Sequence, residues 1–417
     1  MNGKNKQKIS KRRHHIFYLV KGKAALKLKS NKYLKKSYVT YDAPVCYGEQ
    51  IPLLIKLENS TSPNVSYSIV DDENEPNKLL KFEIINFKKE DPVWICFSYW
   101  VLIKSRSYKD FPKKTLIPKS EKNPNDVRIW LASTESIQTN NIFIKSRAKI
   151  IRRFNNNLFE NARKVAFYIC YQRPILSEIR RITENRILLR DLLLPKKYWT
   201  GLMDAVSGLF FGGTCTEQAN LGVALLRSMG IPSRILIVNP LHYRLLEKTE
   251  WIDSMHYIIE IFVPEYGWVR LNPGKVPHLT KNDLILRIAY PKDENEAGNG
   301  FSYYGGMMPW FWFSDENIKL DFPGELYTYY RKPKNSGIPI ASRKILNRLK
   351  LDKKTSNELF QNSKELWIKY LGKNKNINNL SDNKEHQKII EQQEEIVDLI
   401  SNSNIKKCNE KLLEILS

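Results

Sequence analysis

The sequence predicts an α+β protein in three parts, and three stretches carry that expectation. Residues from about 16 to 125 are short β-branched and aromatic runs broken by turn clusters, the pattern of a β-sandwich-like domain. In the middle, FGGTCTEQANLGVALLRSMGIPSRIL (211–236) reads as an amphipathic helix running into a strand. From about 340 the chain turns polar and helical. The 417 residues suffice for two or three domains. The expected division is a basic arm at 1–15, a β domain at 16–125, a mixed core at 126–335 and a helical appendage at 336–417.

Each element has a local reason. YVTYDAPVCYG, PLLIKLENSTSPNVSYSIVDD and VWICFSYWVLI supply the strands of the first domain. SEKNPND (120–126) is polar and contains Pro124, which makes it a linker. SRAKIIRRFNNN and LFENARKVAFYICYQR have apolar residues at helical spacing, such as Leu158, Ala162, Val165 and Ile169, and further helical turns run through 179–194. PKDENEAGNGFSYYGGMMPWFWFSD (291–315) is rich in glycine and aromatics. It fits an irregular loop capping a core or a substrate groove wall. In EHQKIIEQQEEIVDLI, the residues Ile389, Ile390, Ile396 and Leu399 form one apolar stripe.

Composition narrows the function. The longest apolar run, 93–103, is too short to span a bilayer, and the run 16–20 falls short of a signal-peptide core. A soluble, cytoplasmic protein is expected. The five cysteines have no CxxC spacing, which argues against a zinc site and a disulfide framework. No metal-ligand cluster or phosphate loop is present, so no cofactor is implied. The net charge is +24, and no acidic residue precedes Asp42. The basic arm fits contact with an anionic surface or nucleic acid, or a solvated tail. No nucleic-acid-binding module is recognisable.

The middle helix carries the chemistry. Thr214 with Glu217 three residues later forms a capping-box pattern, which makes Cys215 the first helical residue. Gly230 is placed as the left-handed cap and Pro232 blocks continuation. A helix N-terminus favours thiolate over thiol, and its free N–H groups can receive charge developing on an attacked carbonyl. A buried structural cysteine under a glycine turn fits the same motif.

A thiol nucleophile needs a base, and the base needs an orienter. Of six histidines, His14 and His15 fall in the basic arm, His386 in the helical tail, and His242 and His278 in expected loops. His256 opens the strand HYIIEIFVP, and the turn PEYG leads to WVRLNP, which ends at Asn272 and Pro273. A tight turn pairing Val263 with Trp268 sets Asn272 opposite Ile259, out of phase with His256. A bulge, a longer loop or strand stagger is then needed to join them.

GGTCTEQANLGVALLRSMGIPSRI and MHYIIEIFVPEYGWVRLNP resemble the two core blocks of transglutaminase-like proteins. The first runs Gly-x-Cys, acidic residue, Leu-Leu-Arg, Gly-Ile-Pro-x-Arg. The second has a histidine opening a strand, a glutamate within it, and Gly-Trp-Val before the third catalytic position. WLASTE, Ala205 and Leu209 are similar to the family's lead-in, so the resemblance covers about 126–290. It implies a papain-like core in which Cys215 is the nucleophile, His256 the base and acid, and Asn272 the orienter, where aspartate is usual. Asp253 is the alternative carboxylate. An amide can hold the imidazole tautomer but cannot stabilise an imidazolium as a carboxylate does. The family cleaves peptides, crosslinks glutamine to amines or removes glycans from asparagine, each through an acyl-enzyme. The resemblance implies a cysteine peptidase acting on peptides or proteins. The alternatives are crosslinking, glycan removal or an inactive peptide-binding module.

Overall fold

The computed structural model describes residues 14–60, 64–105, 112–171, 204–213, 215–241, 251–252, 256–272, 278–279, 283–294, 311–320, 341–373 and 384–417. The helical turns expected at 179–194, the cap Thr214, His242, Asp253 and most of the glycine-aromatic segment lie outside these residues. The architecture is α+β, and among the described residues every strand pairing is antiparallel.

The first strands are β1 (His15–Ser30), β2 (Leu34–Ala43), β3 (Gln50–Ser60), β4 (Val65–Asp71), β5 (Lys78–Phe87) and β6 (Val93–Lys104). Helices α1 (Asn125–Arg128), α2 (Ile142–Arg152), α3 (Leu158–Tyr171), α4 (Ala205–Phe211) and α5 (Cys215–Ser228) follow. Then come β7 (Ser233–Pro240), β8 (Trp251–Ile252), β9 (His256–Val263), β10 (Gly267–Asn272), β11 (His278–Leu279) and β12 (Asp283–Ala289). The chain closes with β13 (Phe311–Phe313), β14 (Ile318–Leu320), β15 (Ala341–Leu351), α6 (Lys353–Lys373), α7 (Lys384–Ser401) and α8 (Ile405–Leu416).

Two sheets form the β-sandwich. One runs β3-β6-β1-β15-β8 with β14 also on β1, and the other runs β13-β2-β5-β4. Their inner faces meet through aromatics: Tyr41 and Phe82 stack on Phe97 with ring centroids 4.9 and 5.2 Å apart. Here the structure corrects the expected division. The segment 336–417 is not wholly helical, because β15 pairs with β1 from Ala341 to Leu351. Residues 15 to 104 therefore do not complete the sandwich; β13, β14 and β15 do. His15 belongs to β1, not to the arm, and its Nδ1 lies 2.8 Å from Ser356 Oγ on α6.

The third sheet, β11-β10-β9-β7-β12, holds the middle of the chain. Its residues Tyr257, Ile259, Ile261 and Val263 join the main core shared with α2, α3 and α5. The opposite face, with Leu236, Val238, Ile258 and Ile285, packs with Trp130 and Val45. The sheet is thus covered on both sides, which explains the near-continuous apolar runs of β7, β9 and β12.

The edge strand β12 is capped by side chains from the sandwich. Gln50 accepts from Ile285 N–H (2.7 Å) and donates to Ile285 C=O (2.8 Å). Asn77 does the same at Ile288 (2.9 and 2.8 Å). Each carboxamide substitutes for a strand residue and blocks an edge that would otherwise template pairing with another chain.

Buried ion pairs join the layers. Arg234 on β7 and Arg270 on β10 both lie opposite Glu260 on β9. Arg234 Nη2 is 2.8 Å and Arg270 Nε 3.8 Å from the carboxylate. Tyr47 from the sandwich donates to Glu260 at 2.9 Å, and Glu49 lies 3.6 Å from Arg270. Arg234 also stacks 3.8 Å over the Trp268 ring. Arg287 holds three carboxylates at 2.7–3.0 Å: Asp42, Asp72 and Asp293.

Two outcomes follow. Glu260→Gln leaves two buried guanidinium groups undercompensated and is expected to lose about 3–5 kcal/mol in urea unfolding. Burial pushes the Asp42 carboxyl up to about 7, against the pull of Arg287. A folded value above the unfolded one of about 3.9 means its stabilisation is present at low pH and lost as pH rises through 7. Thermal melts across that window should show the wild type losing stability relative to Asp42→Asn. A difference that does not change with pH counts against this account.

Candidate active site

Helix α5 is buried nearly all round, from Thr216 to Arg227, with only Gln218 partly exposed. The expected amphipathic helix is thus a central one. It is enclosed by α2, α3, α4 and the third sheet. Gly222 is a point of close approach: a methyl there would meet Ile259 Cδ1 at 2.4 Å and Ile169 Cδ1 at 2.7 Å. The C-terminus follows the sequence reading. Gly230 has φ +85°, and Ile231 N–H closes on Leu226 C=O at 3.0 Å, a Schellman-type end. Arg227 is paired with the equally buried Glu294 at 2.6 Å.

Cys215 stands at the first position of α5, half-buried against the main core. Burial pushes its thiol above the ordinary cysteine range. The Tyr257 main-chain N–H hydrogen-bonds to the sulfur and pulls the other way, and the Glu217 carboxylate pushes it up further. The expected lowering at a helix N-terminus is therefore outweighed in the resting protein. Desolvation acts on the whole charge of a thiolate, whereas the helix end offers only partial charges.

The hydrogen bond from Tyr257 fixes which part of the sheet meets the sulfur. His256, the residue just before it, is the first of β9 and pairs with Val238. Asn272 is the last residue of β10. The turn between these strands differs from the expected one. Val263 pairs with Gly267, not Trp268, so the loop is one residue shorter. Tyr266 N–H bonds Val263 C=O at 3.1 Å, with φ +63° at Glu265, a type II turn with proline at its second position. Gly267 re-enters the strand at φ +89°, which a side chain resists.

That one-residue change reverses the phase. Leu271 lies opposite Ile259, so the ladder carries Asn272 to Ile258, two positions from His256. An even offset puts both positions in the same phase of the pleat. No bulge is required. His278 is not in a loop either, since it forms β11 opposite Asn272. Backbone pairing thus brings His256, Asn272 and His278 to one end of the sheet, and the Tyr257 contact brings Cys215 there. Among the described residues no group of His, Cys, Asp and Glu could hold a metal ion, and no helix is long and apolar enough to cross a membrane.

Residues 190–273 match the family model of the transglutaminase-like superfamily. That stretch contains Cys215, His256 and Asn272. A solved structure described as a "putative cysteine protease" from Cytophaga hutchinsonii is similar at 13% identity and TM-score 0.47, over 80% of this chain and 98% of that one. A "putative protease" from Parabacteroides distasonis is similar at 13% identity and TM-score 0.20, over 61% of this chain and 46% of that one. The present chain therefore spans under half of the latter protein. Comparison with curated proteins finds no match.

The site yields a chemical expectation. Alkylation of Cys215 by iodoacetamide, followed against pH, should have a midpoint above the free-cysteine value of about 8.5. The midpoint should return to that value in urea. A midpoint below it in the folded protein would mean that the helix end outweighs burial.

Proposed function

We propose that this protein is a cysteine-dependent amide hydrolase of peptides or proteins, with Cys215 as nucleophile, His256 as base and acid, and Asn272 as orienter. The observation that supports it best is the hydrogen bond from Tyr257 to the Cys215 sulfur. It sets a thiol at a helix start against the residue after a histidine, inside a transglutaminase-like stretch.

In this reading the resting thiol carries its proton, in line with the upward push of burial. Sulfur attacks the amide carbon as its proton passes to His256, and first-turn N–H groups of α5 take up charge on the carbonyl oxygen. The C–N bond breaks as His256 returns the proton to the departing amine, leaving a thioester on Cys215. Water then attacks, with His256 again taking the proton, and the carboxylic acid and the thiol are released. An amine in place of water would give crosslinking. A thiol held in its neutral form also favours a second reading, an inactive peptide-binding module.

Hydrolysis of denatured-protein and peptide-anilide substrates should disappear in Cys215→Ala. It should fall about 10²–10⁴-fold in His256→Ala. Asn272→Asp should retain activity and shift its pH profile. Turnover persisting in Cys215→Ala would overturn the proposal, and peptide binding without turnover would support the second reading.

A further inference from the structure

At the far end of α5 from Cys215, about 20 Å along a 14-residue helix, lies a basic cleft with exposed apolar residues beside it. A cleft of 540 Å³ is lined by Lys145, Lys149, Arg152 and Arg153, with Ser228 and Met229 from the end of α5. No acidic residue lines it, and the sequence between Glu135 and Glu160 contains none. Arg153 ends α2 with a positive φ of 50°, and the next residue, Phe154, is fully exposed at 106%. A second loop is tied alongside: Leu116 bridges to Asn157, and Ile117 N–H bonds Asn156 C=O at 2.9 Å. That loop presents exposed Leu116 together with Lys113 and Lys114. Ile150 on α2 is exposed as well.

We infer that this face docks on an anionic membrane surface, with Phe154 and Leu116 entering the interface and the surrounding lysines and arginines over acidic headgroups. Exposed apolar side chains beside a cleft lined by cations and no carboxylate are what such a surface selects; Glu160, the next acidic residue along the chain from Asn157, is paired with Arg163 at 3.1 Å. Single-stranded nucleic acid would use the cations and Phe154 but has no use for Leu116 and Ile150. The asparagine oxygens beside Phe154 are already engaged. Asn155 Oδ1 accepts from Asn157 N–H at 2.8 Å, and Asn156 Oδ1 accepts from Arg152. The cleft has the volume of a small-molecule site, enough for a headgroup. Docking here leaves the Cys215 end of α5 free, and the inference does not depend on the proposed hydrolase activity.

The test is flotation of the full chain with vesicles of phosphatidylcholine alone or mixed with phosphatidylserine, at about 0.15 M salt. Binding is expected only with phosphatidylserine. Because the chain carries +24 overall, the decisive variants keep the charge. Phe154→Ser should weaken binding about tenfold and Leu116→Ser by a smaller factor. Both residues are exposed, so folding is not at stake, and circular dichroism checks it. Lys149→Ala should cost about fivefold, while Lys406→Ala on α8, 91% exposed, should change little. Peptide hydrolysis should be unaffected by all four. Three results overturn the inference: no flotation with acidic vesicles, flotation indifferent to Phe154 and Leu116, or Phe154-dependent binding of a single-stranded oligonucleotide in place of vesicles.

Discussion

The buried rung Arg234–Glu260–Arg270 sets the geometry on which the rest of the site depends. Three charged side chains sit opposite one another on β7, β9 and β10, almost fully out of water, with Trp268 covering Arg234. Such a rung adds little net stability over apolar packing, because desolvation offsets most of the attraction. Its force is against alternatives. Sliding either neighbour by one residue would aim a guanidinium at the helix side of the sheet and leave Glu260 without its partners. The register that remains is the one in which Asn272 is two positions out of line with His256, and Tyr257 reaches the Cys215 sulfur.

The sandwich acts on the same sheet from the other side. Tyr47 and Glu49 complete the charge set around Glu260 and Arg270, and Gln50 and Asn77 close the β12 edge. The sandwich in turn depends on chain from beyond the core, since β15 lies along β1. Core and sandwich therefore share a sheet and buried charges.

Burial of α5 ties stability to reactivity. A helix enclosed on all sides holds Cys215 firmly, and the same enclosure removes the water that would solvate a thiolate. Burial therefore pushes the thiol's pKa up. The basic face at the other end of the helix is open to solvent and stands apart from this arrangement.

Much of this was legible in the residues. The cap at Gly230, the strand opened by His256 and the place of Cys215 at a helix start each rest on signals within a few positions, where backbone geometry and local hydrogen bonding decide. The helix reads as amphipathic because Glu217, Asn220 and Arg227 are polar, yet all three are buried. Their burial depends on partners such as Glu294, 67 residues away. The turn is one residue shorter than its sequence suggests, because a glycine can end a loop or begin a strand with equal ease. By itself the sequence determined which residue types stand at helix and strand ends, since these follow from local conformational preference. Only the tertiary structure decided register, burial and the direction in which burial pushes the thiol, because each depends on charges and surfaces that meet through space from distant parts of the chain.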